Sequence, residues 1–185
     1  MTSVATLTTE RLRLRVWTED DLAPFAALNA DPRVMAHFPK CLDRAESDAL
    51  VGRFRDHVER RGFGWWAVEA PGIAGFVGFV GLSVPSFQAH FTPCVEIGWR
   101  LAAAYWGRGY AIEAARATLR FGFDDVGLEE IVSFTVPANL PSRRVMERLG
   151  MTRDPADDFE HPNLPAGDPL RRHVLYRLRR ADWKA

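Results

Sequence analysis

Hydrophobic and polar positions change period several times along this chain. From Arg11 to Val16, charged and apolar residues alternate, which is the period of a strand. Thr18-Glu19-Asp20-Asp21 supplies a cap and an acidic first turn, and predicts a helix to about Ala30, where Asp31-Pro32 breaks it. A second helix is predicted over Arg44 to Arg61, with Leu50, Val51, Phe54 and Val58 on one face and Gly62 at its end. Phe63 to Glu69, Phe76 to Val84 and Cys94 to Leu101 read as three strands of a meander. A helix over Tyr110 to Phe123, a strand over Glu129 to Val136 and a helix over Leu140 to Leu149 follow. Met151 to Asp154 begins another strand, Ala156 to Asp168 is an Asp- and Pro-rich loop, and Arg171 to Leu178 is the last strand. No repeat, low-complexity tract or linker divides the chain, so residues 1–185 are expected to form a single domain.

The segment Glu96-Ile97-Gly98-Trp99-Arg100-Leu101, followed by Tyr105-Trp106-Gly107-Arg108-Gly109-Tyr110-Ala111, passes from strand through a glycine loop into a helix. Glycines let the backbone turn sharply and approach a ligand closely. The first N–H groups of the helix are free and lie at the positive end of its dipole, which suits a pyrophosphate. A P-loop is excluded, because Tyr110-Ala111 stands where Lys-Ser or Lys-Thr is needed. A dinucleotide fingerprint needs a small residue where Ile112 stands. An ordinary strand–turn–helix with a glycine turn remains open on these residues alone.

A second segment, Thr135-Val136-Pro137-Ala138-Asn139-Leu140-Pro141-Ser142-Arg143, leads from strand to helix, and Leu149-Gly150-Met151 closes that helix. Together, in order and at this spacing, the two segments resemble the GNAT acetyltransferase superfamily. The branch most like this chain is the Rim type, which acetylates ribosomal-protein N-termini. That branch opens with Thr-x-Arg-Leu-x-Leu-Arg, matched by Thr9 to Arg15, and carries Glu-Ile-Gly-Tyr, matched by Glu96 to Trp99 with tryptophan in the tyrosine position. Trp106 stands where the superfamily loop begins with Gln or Arg, so backbone amides rather than that side chain are expected to hold phosphate. The resemblance runs from about Thr8 to Trp183. It implies an α/β GNAT acyl-CoA N-acyltransferase fold: a central mixed, mostly antiparallel sheet, splayed at the cofactor site and flanked by helices. It also implies acetyl-CoA as co-substrate, with Trp99, Leu101, Trp106, Gly107, Arg108, Gly109, Tyr110, Ala111, Asn139, Ser142 and Arg143 as its candidate contacts.

Lys+Arg and Asp+Glu, 24 each, cancel, so no global charge argues for nucleic acid or a membrane surface as partner. At 47% hydrophobic the chain can bury a substantial core. No window approaches a membrane span, and Met1 to Arg15 lacks the apolar core of a signal peptide. Cys41 and Cys94 have no metal-ligand spacing, no metal is expected, and a reduced cytoplasmic setting is the default. Monomer and homodimer both remain open.

Acetyl transfer to an amine needs a neutral amine, a proton acceptor, donors for the developing oxyanion and a partner for the leaving thiolate. No Cys-His or Ser-His arrangement is evident, so direct attack in a ternary complex is expected, with Cys94 a small strand residue. If Ile97 faces the core, Glu96 faces the opposite side, which in the family is the cleft. Glu96 is then a candidate base, or else a buried glutamate tying strands together. Asn139 and Ser142 suit simple capping, with Pro141 in the first turn. The resemblance places Ser142 near the cofactor sulfur, in a helix where many members carry a tyrosine acid. His161, in the late loop, and His173, near the last strand, have imidazoles suited to proton transfer near neutral pH. His161 and the aromatic residues Phe38, Trp65 and Trp66 are candidates for the acceptor cleft, while His37, His57 and His90 are weaker ones. The acceptor is expected to be a protein N-terminus or a small-molecule amine. A non-catalytic acyl-CoA sensor and an unrelated nucleotide-binding protein are the competing readings.

Overall fold

The computed structural model describes residues 5–184; residues 1–4 of the segment read for a signal sequence lie outside the described residues. Its centre is a nine-stranded sheet. The strands are β1 (Leu7–Thr8), β2 (Arg13–Arg15), β3 (Trp65–Ala70), β4 (Ala74–Ser83), β5 (Glu96–Leu101), β6 (Glu130–Thr135), β7 (Thr152–Arg153), β8 (Phe159–Glu160) and β9 (Arg172–Arg179). Their order is β1-β2-β3-β4-β5-β6-β9-β7, with β8 also on β9. Every pairing is antiparallel except β5 with β6.

Alternation along the strands divides the sheet into two faces. Trp66, Val68, Val80, Leu82, Ile97 and Leu101 pack into one core cluster. Tyr110, Ala114, Ala115 and Leu119 of α3 (Tyr110–Arg120) and Met146 of α4 (Leu140–Arg148) complete that cluster. The intervening Ala67 and Phe79 face the other way, toward Phe25 and Leu28 of α1 (Leu22–Ala30) and Val51 and Phe54 of α2 (Arg44–Arg61). The α2 bounds agree with the sequence reading. Asp43 accepts from the Glu46 N–H at 2.8 Å, the Glu46 carboxylate returns to the Asp43 N–H at 3.0 Å, and Gly62 closes the helix in the left-handed region.

Three expectations are corrected. The helix expected to reach Phe123 leaves α geometry at Phe121 and finishes as a π-turn to Asp125, in which the Val126 N–H reaches the Phe121 carbonyl at 3.0 Å. The first strand is shorter than Arg11 to Val16 and is preceded by β1, which pairs with it. The loop over residues 156–168 contains β8, where Phe159 pairs with His173 and Glu160 with Arg172. Its polarity hid a strand whose buried residue is Phe159 alone.

Candidate active site

The site is built where β5 and β6 part. The two strands share one register pair, Glu96 with Val132. The Val132 N–H donates to the Val95 carbonyl at 2.9 Å, and the buried Ser133 hydroxyl donates to the Ile97 carbonyl at 2.9 Å. Beyond that point β5 has β4 on one side and a gap on the other. Alternate residues of a strand direct their backbone groups to opposite neighbours. Ile97 and Leu101 present carbonyls on the β6 side, the latter to the Trp106 indole Nε1 at 2.8 Å. Trp99 lies between them, so its N–H and C=O face the same gap.

The gap opens onto the glycine loop. Gly107 and Gly109 hold φ values of 73° and 80°, and a Cβ at Gly107 would meet no atom within 4 Å. The loop is therefore shaped by glycine's backbone freedom and leaves open space in front of itself. Gly109 is the N-cap of α3. Among the described residues, no acceptor satisfies the amide N–H groups from Gly107 through Ile112. A run of unpaired N–H groups at a helix N-terminus is an anion seat. Arg108 lies with its guanidinium 5.8 Å from the Tyr105 ring centre, Tyr110 is buried, and Ala111 packs against the core.

This loop is clamped by the N-terminal segment, a role the sequence did not reveal. The Glu113 carboxylate accepts from the Thr9 hydroxyl at 2.6 Å, the Arg11 N–H at 2.9 Å and Arg11 Nε at 2.7 Å. Arg11 Nη1 donates to the Arg108 carbonyl at 3.0 Å, inside the loop.

Across the gap, Asn139 caps α4 by accepting from the Ser142 N–H at 3.3 Å, and its Nδ2 donates to Thr135 Oγ1 at 2.9 Å. Capping thus holds, and the half-buried Ser142 hydroxyl has no hydrogen-bond partner among the described residues. Arg143 turns away from the gap: Nη1 donates to the Pro137 carbonyl at 2.9 Å and Nε to the Tyr176 hydroxyl at 3.3 Å. The Tyr176 hydroxyl donates in turn to Glu147 at 2.9 Å.

Ile97 is buried against α3, so Glu96, Gly98 and Arg100 occupy the opposite face of β5. Register aligns Phe79 with Arg100, Gly81 with Gly98 and Ser83 with Glu96. The Trp65 indole lies across Gly98, where a Cβ would come within 2.9 Å of its ring. Phe38 covers the Arg100 guanidinium, with its ring centre 4.0 Å away. Phe38, Trp65 and Glu96 therefore line one face, with Arg100 at the Phe38 end, a motif residue that no sequence signal singled out. Trp66, the other aromatic candidate, is instead buried in the core on the opposite face of the sheet. Glu96 makes no hydrogen bond or ion pair among the described residues, which removes the strand-tying reading. Burial raises its carboxyl from 4.5 to about 8. Burial likewise lifts the Cys94 thiol to about 11, which leaves it protonated and a poor nucleophile.

His161 belongs to an aromatic wall on the same face but beyond the gap. Its ring lies 4.6 Å from Phe87 and 5.0 Å from His173, with Phe134 of β6 and Phe159 close by. Burial lowers both imidazoles below 6.5. The pairing of His173 opposite Phe159 brings the two histidines suited to proton transfer together here.

A half-zipped parallel strand pair that opens onto a helix N-terminus is the splayed-sheet arrangement that the resemblance to the GNAT acyltransferases implies. The family profile described as acetyltransferase (GNAT) domain matches residues 11–152, and the chain belongs to that family. It is an acetyltransferase of a family that uses acetyl-CoA. The uncharacterized protein YkkB of Bacillus subtilis is 34% identical over 152 residues, covering 82% of this chain and 87% of that protein. A GNAT-family acetyltransferase structure from Bacillus anthracis superposes with a TM-score of 0.79 at 28% identity, covering 96% of this chain and 99% of that one. The ribosomal-protein-S5-alanine acetyltransferase of Vibrio fischeri shares the fold, with a TM-score of 0.74 at 18% identity over 98% and 100% of the two chains.

Proposed function

We propose that residues 1–185 act as one GNAT domain that transfers the acetyl group of acetyl-CoA to a primary amine by direct attack in a ternary complex. The observation that carries this reading is the gap between β5 and β6, which runs from the unpaired Trp99 backbone to the unpaired amides of Gly107 to Ile112. The Trp99 groups suit the pantetheine arm and the loop amides suit the pyrophosphate. The thioester, when bound, supplies an already activated acyl group.

This chain's residues supply the rest. Glu96, unpaired and partly desolvated, takes the proton of the acceptor amine, directly or through water. Ser142, at the first turn of α4, offers its hydroxyl to the departing thiolate. Leu101, Trp106, Gly107, Arg108, Gly109, Tyr110, Ala111 and Asn139 shape the cofactor side. Phe38, Trp65 and His161 shape the acceptor side. The acceptor is a protein N-terminus or a small-molecule amine, and the setting is cytoplasmic. No described helix is long and apolar enough to cross a membrane.

Initial-rate kinetics with both substrates varied test the mechanism. Intersecting double-reciprocal lines support the ternary complex. Parallel lines would show an acyl-enzyme route and overturn it. The alternative, a non-catalytic acyl-CoA sensor, requires that no amine is acetylated at all.

A further inference from the structure

Arg100 is a half-buried cation without an anion among the described residues. It projects from β5 beneath α1 and is sandwiched between Phe38 at 4.0 Å and Phe79 at 5.3 Å from the ring centres. Its Nη1 donates to Asn29 Oδ1 at 2.6 Å, a neutral acceptor. Its Nε is sealed from solvent and has no partner among the described residues. No carboxylate pairs with it among the described residues, and burial lowers its pKa to about 10. Three other half-buried arginines are treated differently, although Arg143 also meets only neutral acceptors. Arg15 is paired with Asp21 and Glu69, Arg153 with Asp158, and Arg177 with Glu130 and Asp157.

An enclosed charge is tolerated when something neutralises it, and leaving one unpaired is strongly unfavourable. Planar guanidinium matches a carboxylate in a two-point fork. Position then says which ligand brings the carboxylate. Arg100 and Glu96 share one face of one strand, four positions apart, or about 13 Å at roughly 3.3 Å per residue. Between them lies Gly98 under the flat Trp65 indole. The order along this face is cation, apolar surface, base. The anion seat for the cofactor, by contrast, is the loop beyond Leu101.

We propose that Arg100 anchors a carboxylate on the acceptor, so that the cleft takes a small ω-amino carboxylate whose apolar stem crosses Trp65 and whose amine reaches Glu96. This rests on the acetyl-transfer reading of the same cleft and narrows its acceptor to a small molecule. A polyamine would bring cations to an unpaired cation and is disfavoured. Asn29 is fully buried, and its Nδ2 donates to Ser47 Oγ at 3.1 Å, so the guanidinium is held in place before the ligand arrives.

The test is a calorimetric titration of 6-aminohexanoate and of its carboxamide into the protein saturated with CoA. Turnover is not required. The wild type should bind the acid at least about tenfold more tightly than the amide. Arg100→Gln should erase that preference while its affinity for CoA stays within about twofold. Asn29→Asp is the second variant, which supplies a carboxylate from the protein with almost no change of shape. It should neutralise Arg100 internally, raise the melting temperature and also erase the preference. A purely structural Arg100 would give equal affinities for acid and amide in the wild type, and that result, or failure of the wild type to bind either compound, overturns the proposal. Release of thiol from acetyl-CoA across a panel of primary amines with and without a carboxylate reads the acetyl-transfer assignment separately. Selective acid binding without thiol release would sink that assignment and keep the anchor, and turnover of neutral amines without acid preference would do the reverse.

Discussion

Arg11 and Glu113, 102 residues apart, are joined by the Arg11 backbone N–H, by Nε at 2.7 Å and by Nη2 at 2.5 Å. With its remaining nitrogen on the Arg108 carbonyl, Arg11 ties the first turn of α3 to the glycine loop before it. This gives the Thr9-Glu10-Arg11-Leu12 segment a physical task. It fixes the loop that presents its amides, and it neutralises a carboxylate one turn from the proposed phosphate seat.

Arg11→Ala is therefore expected to weaken acetyl-CoA binding by roughly tenfold, or about 1.4 kcal/mol. The melting temperature should change little, because an exposed ion pair contributes only about 0–1 kcal/mol to folding. The double variant Arg11→Ala/Glu113→Gln should recover part of the affinity, since the uncompensated charge is gone. Calorimetric double-mutant cycles check this. Equal loss in the single and double variants would mean that Glu113 charge plays no part.

Gly109 makes a second case. Its φ of 80° is in the left-handed region, where a β-branched residue is strained by about 1–2 kcal/mol. Gly109→Val should shift the loop amides and weaken acetyl-CoA binding by roughly tenfold or more, with the fold retained. Unchanged affinity in a folded variant would remove the loop as the seat.

The Glu96 carboxyl, raised to about 8 by burial, gives a pH signature. As a base it must be ionised, so kcat/KM should climb through about pH 8 on the acidic limb. Glu96→Gln should lower kcat by roughly a hundredfold to ten-thousandfold and abolish that limb. Stability follows with the opposite preference. Between 4.5 and about 8 the folded state binds the proton that the unfolded state has lost, so wild-type stability falls as pH rises across that window. At most it falls by about 1.4 kcal/mol per pH unit. The melting temperature of Glu96→Gln, relative to wild type, should therefore grow as pH approaches 8. A constant difference would show that Glu96 titrates normally.

Ser142→Ala should cost about tenfold in kcat at most, since water can replace a weak hydroxyl donor. Its effect should grow with poorer leaving thiols. His161→Ala should instead raise the acceptor KM and leave acetyl-CoA affinity intact, because its ring sits in the aromatic wall with Phe87 and His173. Steady-state kinetics with each substrate varied separate the two.

Local signals made much of the scaffold legible. The α2 capping box, the Gly62 stop and the meander of β3 to β5 are encoded by neighbours in sequence, and so is the glycine loop entering α3. The face of Glu96 followed from strand alternation once Ile97 was placed in the core. What escaped depends on pairings distant in sequence. The Arg11 clamp and the opposition of Phe159 to His173 are of this kind. So is the isolation of Arg100, since a strand arginine in a motif says nothing about whether a carboxylate will meet it. Arg143 matched the pattern of a phosphate ligand, yet its guanidinium is engaged by Pro137 and Tyr176.

The most direct measurement of the central claim follows free thiol released from acetyl-CoA, with a thiol-reactive chromophore, in the presence and absence of an amine acceptor. The account predicts release that requires the amine, matches the acetylated product mole for mole, and falls with Glu96→Gln while acetyl-CoA still binds. Tight acetyl-CoA binding with no amine-dependent release, across primary amines with and without a carboxylate, would contradict it and leave a sensor in place of an enzyme.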